Sequence, residues 1–295
     1  MTDFGRLMTA MVTPFNDKLE IDYEKAKQLI EHLIHTGTET LVVCGTTGEP
    51  STLSNKEKLS LYKFVVEQVQ GRCKVMASTG SNDTRSSIKL TKEAQNIGVD
   101  GILLVAPYYN NPSQEGLFQH FKSIAESTDL PIMLYNIPGR SVVDLTADTI
   151  LRLSQIKNIT SIKEASGDFS KIAYLLEQAP PGFKVYSGDD SLALPILSIG
   201  GYGVVSVASH IVGKEIKTMM TTFLDGKVQE SAKIHRKLLP IFEGLFITTS
   251  PSPVKYALEK YGIPVGSVRL PLVPVTKDEA NVIDSLLNEL HGSWK

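Results

Sequence analysis

The chain of 295 residues is poor in several features that mark special classes of protein. It has two cysteines, Cys44 and Cys73, both inside apolar runs. This excludes a disulfide-based fold and predicts buried free thiols in a reducing compartment. No apolar run approaches the roughly 18 residues of a membrane span, and the N-terminal residues lack an apolar secretory segment. We therefore expect a cytoplasmic protein with no membrane partner.

An excess of charge of one sign is also missing. Thirty Lys and Arg oppose 32 Asp and Glu, giving a formal net charge of -2, and no five like charges follow one another. The sequence therefore predicts neither nucleic-acid binding nor attachment to an anionic membrane. Apolar residues make up 42% of the chain and charged residues 21%, values that predict a globular protein with a sizeable core. We expect its partners to be small molecules.

What the sequence contains is an alternation of short β-branched runs with longer amphipathic stretches. Several runs are continuously apolar, as strands covered on both faces must be. The pattern predicts an α/β fold in which eight βα units close into a (β/α)₈ TIM barrel, with an open doubly wound sheet as the alternative. The predicted strands lie near residues 7–12, 40–44, 74–78, 101–106, 132–135, 159–163, 184–187 and 203–207, and the clearest helical patterns span 23–35, 55–69, 84–96 and 114–126.

The C-terminal part of the chain continues with helical pattern alone. The pattern spans residues 214–244, 253–260 and 277–290, and no Gly/Ser-rich or Pro-rich linker precedes it. We predict a catalytic barrel in residues 1–225 and a C-terminal helical segment in residues 226–295 that packs on the barrel.

One lysine stands out, because active sites of such barrels lie at the carboxyl ends of the strands. Of the 23 lysines, Lys163 alone ends a predicted strand, whereas Lys74 and Lys184 start strands. A free lysine has a pKa of about 10.4, and burial lowers the pKa of an amine, so a buried lysine at a strand end is a candidate nucleophile. Strand alternation sends Glu164 to the opposite face. The alternative is a lysine paired with a carboxylate in a wet cleft.

The strand before Lys163 ends in Tyr-Asn-Ile-Pro-Gly-Arg, residues 135–140. Its sharp turn presents Tyr135, which can move a proton, and Arg140, whose guanidinium can bind a carboxylate with two hydrogen bonds. Together with Lys163 they suit a carbonyl substrate that bears a carboxylate. The alternative is that Tyr135 only caps the core and Arg140 only faces solvent.

Three other segments follow predicted strand ends. Residues 45–49, Gly-Thr-Thr-Gly-Glu, form a tight turn whose hydroxyls and amides can bind a small carboxylate, and the chain has no P-loop. Tyr108 and Tyr109 point to opposite sides, so that one faces the site or both pack in an interface. Asp189 and Asp190 are interpreted as a helix-capping pair. We expect no metal and no other cofactor.

In their order and spacing these segments resemble the pyruvate-dependent class I aldolases, the family of the dihydrodipicolinate synthases and N-acetylneuraminate lyases. The resemblance spans essentially the whole chain. It rests on Gly-Thr-Thr-Gly-Glu at 45–49, Pro-Tyr-Tyr-Asn at 107–110, Leu-Tyr-Asn-Ile-Pro at 134–138, Ile-Lys-Glu-Ala at 162–165, Ser-Gly-Asp-Asp at 187–190 and Arg-Leu-Pro-Leu at 269–272.

The resemblance implies catalytic roles for four residues. Lys163 forms the imine with pyruvate, Tyr135 donates and accepts the proton, and Thr46 and Tyr109 complete a proton relay. In dihydrodipicolinate synthases the tyrosine that matches Tyr109 comes from a neighbouring subunit. The resemblance therefore implies a homodimer or a homotetramer.

It also implies the substrates and their contacts. Thr47 binds the carboxylate of pyruvate, the backbone of Val205 lines the pocket, and Arg140 binds the carboxylate of aspartate semialdehyde. The implied product is 4-hydroxy-tetrahydrodipicolinate, in diaminopimelate and lysine biosynthesis, and no cofactor is implied. The alternatives are a related aldolase that acts on a 2-keto-3-deoxy sugar acid and a non-catalytic paralogue that binds keto acids.

The chain departs from the family pattern at a few positions. Residues 250–255 read Ser-Pro-Ser-Pro-Val-Lys where Asn-Pro-x-Pro-Val-Lys is more usual, and residues 49–51 read Glu-Pro-Ser where Glu-Ser-Pro is usual. Family members that are inhibited by lysine bind it through histidine and glutamate side chains, and Lys58 and Ser86 occupy the matching places. A cation there repels a lysine ligand, so we expect weak or absent inhibition by lysine.

Overall fold

A computed structural model describes residues 3–293 and shows a closed barrel of eight parallel strands. The strands follow one another around the barrel in sequence order, and the first pairs with the eighth. The TIM-barrel prediction is confirmed, and the open sheet is excluded. The strands are β1 (Leu7–Ala10), β2 (Thr40–Val43), β3 (Lys74–Ser78), β4 (Gly101–Val105), β5 (Ile132–Asn136), β6 (Ile159–Glu164), β7 (Lys184–Ser187) and β8 (Gly203–Ser206).

Helices surround the barrel and continue beyond it. Two short 3₁₀ turns, Thr46–Gly48 and Pro50–Thr52, follow β2. The helices are α1 (Tyr23–His35), α2 (Asn55–Val69), α3 (Thr84–Ile97), α4 (Gln114–Ala125), α5 (Pro138–Ser141), α6 (Ala147–Ser154), α7 (Phe169–Gln178), α8 (Ala193–Ser198), α9 (Ser209–Leu224), α10 (Val228–Gly244), α11 (Ser252–Lys260) and α12 (Lys277–Ser293).

Local sequence explains where several of these helices begin. Ser54 forms a capping box with Glu57 at the start of α2, because each side chain bonds to the backbone N–H of the other. Asp22 and Asp83 accept hydrogen bonds from the first turns of α1 and α3. These caps lie where the amphipathic pattern starts, so the predicted and observed first residues of the three helices agree.

The strands carry buried side chains on both faces. Outside the barrel they pack against the helices, and inside they form a separate cluster. At the amino end of the barrel, Lys74 pairs with Asp100 at 2.9 Å and Lys184 pairs with Asp3 at 2.8 Å, as expected for strand-start lysines with a structural role. The inner cluster consists of Phe4, Met8, Ala10, Val42, Met76, Leu103, Met133, Tyr135, Tyr186 and Val205.

The helical pattern predicted over residues 214–244 proves to be two helices. The chain reverses between α9 and α10 at Gly226, whose φ of +81° is accessible to glycine at little cost. The amide of Lys227 then donates to the carbonyl of Thr222. The two helices pack side by side, and the Ser231 hydroxyl donates to the Met219 carbonyl at 2.7 Å. Among residues 3–293, no helix combines the length and the apolar character that crossing a membrane requires.

Candidate active site

Lys163 and Tyr135 lie side by side at the carboxyl ends of two neighbouring strands. They are register partners in the ladder that joins β5 to β6. Lys163 is 6% exposed, and its Nζ lies 4.0 Å from the centroid of the Tyr135 ring. The two residues predicted from strand ends are therefore in direct contact, with the amine held over the face of a buried phenol.

Within the described part of the chain, no carboxylate lies within ion-pair distance of Lys163. Its neighbour Glu164 faces the helices, where its carboxylate accepts hydrogen bonds from the Asn136 amide and the Ser166 N–H. Lys171 of α7 lies 3.6 Å from the same carboxylate. The alternation argument for Glu164 is confirmed, and the alternative of a carboxylate-paired Lys163 does not fit this geometry.

Gly188, immediately after β7, gives the lysine side chain its space. A Cβ at this position would lie 3.1 Å from Lys163 Cε and 2.7 Å from Ala165 Cβ. The Gly188 N–H donates to the carbonyl of Glu164 at 2.8 Å. We did not predict a role for Gly188. The sequence signal was its position directly after β7, the strand that pairs with the strand of Lys163.

The predicted carboxylate-binding turn lies at the same end of the barrel. Thr46 and Thr47 form the first 3₁₀ turn after β2, with Thr47 buried and Thr46 half-buried. The Thr13 hydroxyl donates to the carbonyl of Gly48 at 2.7 Å and joins the turn to the segment that follows β1. Cys44, just before the turn, is fully enclosed, and burial raises the pKa of its thiol to about 12. Its thiol is therefore protonated and structural, as predicted for a buried cysteine.

Val205 lies on β8 and belongs to the inner cluster that also contains Tyr135. The chain that follows is fixed by Asp190, whose carboxylate accepts hydrogen bonds from the N–H groups of Val207 and Ala208 at 3.0 and 2.9 Å. The interpretation of Asp189 and Asp190 as a helix-capping pair is wrong for the helix that follows them. Helix α8 begins after Leu192, and Asp190 instead binds the backbone that leads into α9.

Arg140 lies on the short helix α5, directly after β5, and its side chain is exposed at the rim of the barrel. The loop that carries it is well anchored. The Ser141 hydroxyl donates to the Ile137 carbonyl at 2.9 Å, and Asn136 accepts from the Leu145 N–H at 3.0 Å. The backbone of Arg140 is therefore held while its guanidinium stays available.

Of the four residues predicted to be catalytic, Tyr109 is the one that lies outside the mouth of the barrel of its own chain. Its side chain is 92% exposed, and its φ of 76° is unusual for a residue other than glycine. Hydrogen bonds between Asn82 and the backbone of Tyr108, and between Asn110 and the backbone of Asn82, hold this loop in place. Within residues 3–293, no hydrogen bond joins the hydroxyls of Tyr109 and Tyr135 or links either to Thr46.

The arrangement combines a buried amine without a counterion, a phenol against it, a hydroxyl-rich turn and a guanidinium on the rim. Such a set can convert a keto acid to an imine and bind a second carboxylate at the entrance. A cavity of about 360 Å³ lies at the other end of the barrel, beside Thr38 and Lys74, and contains none of the predicted site residues. No group of three or more metal-binding side chains was found among the described residues.

The sequence profile of the dihydrodipicolinate synthetase family matches residues 3–290. This chain belongs to that family. A curated relative from Halalkalibacterium halodurans, 4-hydroxy-tetrahydrodipicolinate synthase 1, is 58% identical over 286 residues, which are 97% of each chain. The family resemblance seen in the sequence is thereby confirmed.

Solved structures of the dihydrodipicolinate synthetase family agree with the fold. A dihydrodipicolinate synthase from Bacillus anthracis is 51% identical, with a TM-score of 0.96, over 98% of this chain and 99% of that one. A dihydrodipicolinate synthase from Cyanidioschyzon merolae, solved with lysine bound, is 44% identical, with a TM-score of 0.96, over 98% of each chain. The chain therefore shares the architecture of these two structures over almost their whole length.

Proposed function

We propose that this chain condenses pyruvate with L-aspartate 4-semialdehyde to give 4-hydroxy-tetrahydrodipicolinate, on the route to diaminopimelate and lysine. The names of close relatives that match it along almost their whole length support this activity. The observation that carries the proposal is the contact between Lys163 and Tyr135, with Nζ 4.0 Å from the ring centroid and no carboxylate of residues 3–293 paired with it. No cofactor takes part in the proposed reaction.

The reaction begins on Lys163. Its neutral amine attacks the keto carbon of pyruvate to give a carbinolamine, which loses water to become the imine. Tyr135 supplies the proton that the departing hydroxyl needs and accepts it back afterwards, since its phenol lies beside the amine. Glu164 does not pair with this amine, since its carboxylate has partners of its own on the helix side of the strand.

The imine then draws electrons from the methyl carbon of pyruvate. Loss of a methyl proton gives the enamine, whose carbon attacks the aldehyde carbon of aspartate semialdehyde and forms the new C–C bond. The amino group of the bound product displaces the Lys163 nitrogen from the imine carbon and closes the ring. Lys163 returns as a free amine, and one water molecule has been released.

Three residues are proposed to bind substrates. The Thr47 hydroxyl and the N–H groups of its turn bind the carboxylate of pyruvate, and the backbone of Val205 lines the pocket. Arg140 binds the carboxylate of aspartate semialdehyde, because a planar guanidinium on an anchored loop can donate two parallel hydrogen bonds.

We propose that Thr46 and Tyr109 complete the proton relay and that Tyr109 does so in the site of a neighbouring copy. A tyrosine that is 92% exposed on an anchored loop is well suited to enter a partner. The enzyme is then a homodimer or a homotetramer.

Mixed subunits test this exchange of tyrosines. Tyr109→Phe and Lys163→Met are each expected to be nearly inactive, while a refolded 1:1 mixture should regain about a quarter of wild-type activity, since half of the dimers are hybrids with one intact site of two. A mixture that stays inactive, although hybrids are detected by mass spectrometry, would contradict the exchange.

The chain is proposed to divide into a catalytic barrel in residues 1–225 and a helical segment in residues 226–295. Helix α9 ends at Leu224 and α10 begins at Val228, which supports this boundary. We also propose a cytoplasmic location, in keeping with a soluble biosynthetic substrate pair and two free cysteines.

The substrate assignment is tested by comparing kcat/KM for two condensations. Pyruvate with aspartate semialdehyde should be turned over at least about a hundred-fold faster than pyruvate with a sugar-derived aldehyde, since only the former places a carboxylate on Arg140. The reverse order would assign a sugar-acid aldolase. Binding of pyruvate without any turnover would point to a non-catalytic paralogue.

A further inference from the structure

Three charged residues of the sequence motifs, to which the proposed chemistry gives no function, meet at one place in the fold. Glu49 ends the Gly-Thr-Thr-Gly-Glu turn, Lys255 ends Ser-Pro-Ser-Pro-Val-Lys, and Arg269 starts Arg-Leu-Pro-Leu. Lys255 and Arg269 both lie more than 200 residues after Glu49 in the chain, yet both contact it. The C-terminal segment is thus joined to the turn that carries Thr46 and Thr47.

The contact between Glu49 and Lys255 is a buried ion pair. Glu49 Oε1 lies 2.6 Å from Lys255 Nζ, and the side chain of Lys255 is 3% exposed while that of Glu49 is fully buried. Lys255 also donates to the Ser267 carbonyl at 2.7 Å and lies 4.3 Å from the centroid of the Phe15 ring. Burial lowers the pKa of Lys255 to about 8, and the charge of Glu49 opposes this shift.

Arg269 holds the other side of the same turn. Its backbone N–H donates to Glu49 Oε2 at 2.9 Å, so both carboxylate oxygens of Glu49 contact the C-terminal segment. Its guanidinium donates to the Thr52 carbonyl at 2.8 Å and to Glu57 Oε1 at 2.6 Å. Within this cluster the positive charges of Lys255 and Arg269 balance the negative charges of Glu49 and Glu57.

The backbone of the turn needs such support. Glu49 has a φ of 56°, in the left-handed region, which is unfavourable for a residue with a side chain. Gly48 approaches the segment that follows β1 so closely that a Cβ would lie 3.1 Å from the Met11 carbonyl. The turn is therefore fixed by this segment on one side and by Glu49 on the other, with Thr47 next to Gly48 in the chain.

We infer that Lys255 and Arg269 are positioning residues, which hold the Thr46–Thr47 turn in its pyruvate-binding conformation through Glu49. The inference rests on the proposed function, since it assigns Thr47 to the carboxylate of pyruvate. It gives the C-terminal segment a part in catalysis, although the proposed chemistry assigns none of its residues to a substrate. A loosened turn weakens pyruvate binding while the imine chemistry of Lys163 remains intact.

The test measures how much pyruvate is needed for half-maximal borohydride labelling of Lys163. In Lys255→Met this concentration should rise about ten-fold or more, the effect of losing one hydrogen bond to a charged group, while labelling at saturating pyruvate stays complete. Lys260→Met is the matched control, because Lys260 lies on the same helix and pairs with Asp284 at 3.5 Å on the surface. This control should leave the half-maximal concentration unchanged.

A second variant separates positioning from simple charge balance. Glu49→Gln combined with Lys255→Met leaves no unpaired buried charge and is expected to fold, yet it should still need about ten-fold more pyruvate, because a neutral contact binds the turn more weakly. If the double variant, or Lys255→Met itself, labels at wild-type pyruvate concentrations, the inference is wrong. If the wild-type protein is not labelled at Lys163 at all, the proposed function fails instead.

Discussion

The amide of Asn136 donates hydrogen bonds to both carboxylate oxygens of Glu164, each at 3.1 Å, one position beyond the register pair of Tyr135 and Lys163. The two pairs lie on opposite faces of the same two strands. On the helix side, Glu164 has its polar partners, and on the inner side Lys163 has an aromatic ring. Lys163 and Glu164 are adjacent in sequence, but their side chains lie on opposite faces and form no ion pair. An amine nucleophile requires this, because a paired carboxylate would stabilise its protonated form.

Tyr135→Phe tests the role of the phenol. The ring that contacts Lys163 remains, while the proton donor is lost, so kcat should fall by about 100- to 10,000-fold with little change in stability. Steady-state kinetics and a thermal melt measure both quantities. Tyr174→Phe removes the hydroxyl of an exposed tyrosine and serves as the control. A Tyr135→Phe enzyme with wild-type kcat would exclude the phenol as the proton donor.

Arg140→Ala is expected to affect one substrate only. Loss of hydrogen bonds to a charged group should raise KM for aspartate semialdehyde by about ten-fold or more, and KM for pyruvate should stay near the wild-type value. Arg140→Lys should recover little, since an ammonium cannot form the bidentate contact. Arg236→Ala, an exposed arginine of α10, is the control. Equal increases in both KM values would contradict the assignment.

Acid pH should destabilise the protein through two buried histidines. His210 Nε2 accepts a hydrogen bond from the Val12 N–H at 3.2 Å. The proton of the neutral ring is therefore on Nδ1, which donates to the Val207 carbonyl at 2.8 Å. Burial lowers the pKa of His210 from 6.5 to about 4, and that of His120 likewise to about 4. Between about pH 6.5 and pH 4 these two histidines bind protons in the unfolded chain but not in the folded chain. The free energy of unfolding therefore decreases as pH falls, by up to about 1.4 kcal/mol per pH unit for each histidine.

Urea unfolding at pH 7.5, 6 and 5 measures this dependence. His210→Gln keeps a neutral side chain that does not titrate, so its unfolding free energy should fall less steeply with pH than that of the wild type. His35→Gln, at an exposed position, should keep the wild-type slope. Parallel slopes for wild type and His210→Gln would show that His210 is already protonated in the folded protein.

Lysine is expected to inhibit weakly or not at all. Lys58 is half-buried, and Ser86 supplies no carboxylate for the ammonium group of a lysine ligand. Steady-state rates in increasing lysine measure the effect, and half-inhibition below 1 mM would contradict this expectation. Replacing Lys58 by His and Ser86 by Glu together should increase sensitivity to lysine, as judged by the same titration.

The fold was predictable because two independent periodicities agree along the barrel. Continuous apolar runs and capped amphipathic stretches placed every strand within two residues of its observed ends. The break at Gly226 was missed, since the amphipathic pattern continues on both sides of the reversal. The partners of Asp190 were missed for a different reason, because Val207 and Ala208 meet it only after the chain has formed β8.

The site was predictable in part. Position at a strand end predicted that Lys163 and Tyr135 lie close together, because the barrel brings all carboxyl ends to one rim, and the structure places them in contact. The contacts of Glu49 with Lys255 and Arg269 follow no local pattern, and only the folded chain reveals them. The catalytic and binding roles stay predictions for every residue of the site, namely Lys163, Tyr135, Thr46, Thr47, Tyr109, Arg140 and Val205.

The most direct measurement of the central claim is borohydride reduction in the presence of pyruvate, followed by peptide mass mapping. One reduced pyruvate adduct per chain is expected, on the peptide that contains Lys163, and the Lys163→Met protein should carry none. Lys255 is the control within the same protein. Among residues 3–293 it is the other deeply buried lysine, and it should stay unlabelled. An adduct on Lys255 or any other lysine, or the absence of any adduct, would contradict the proposed mechanism.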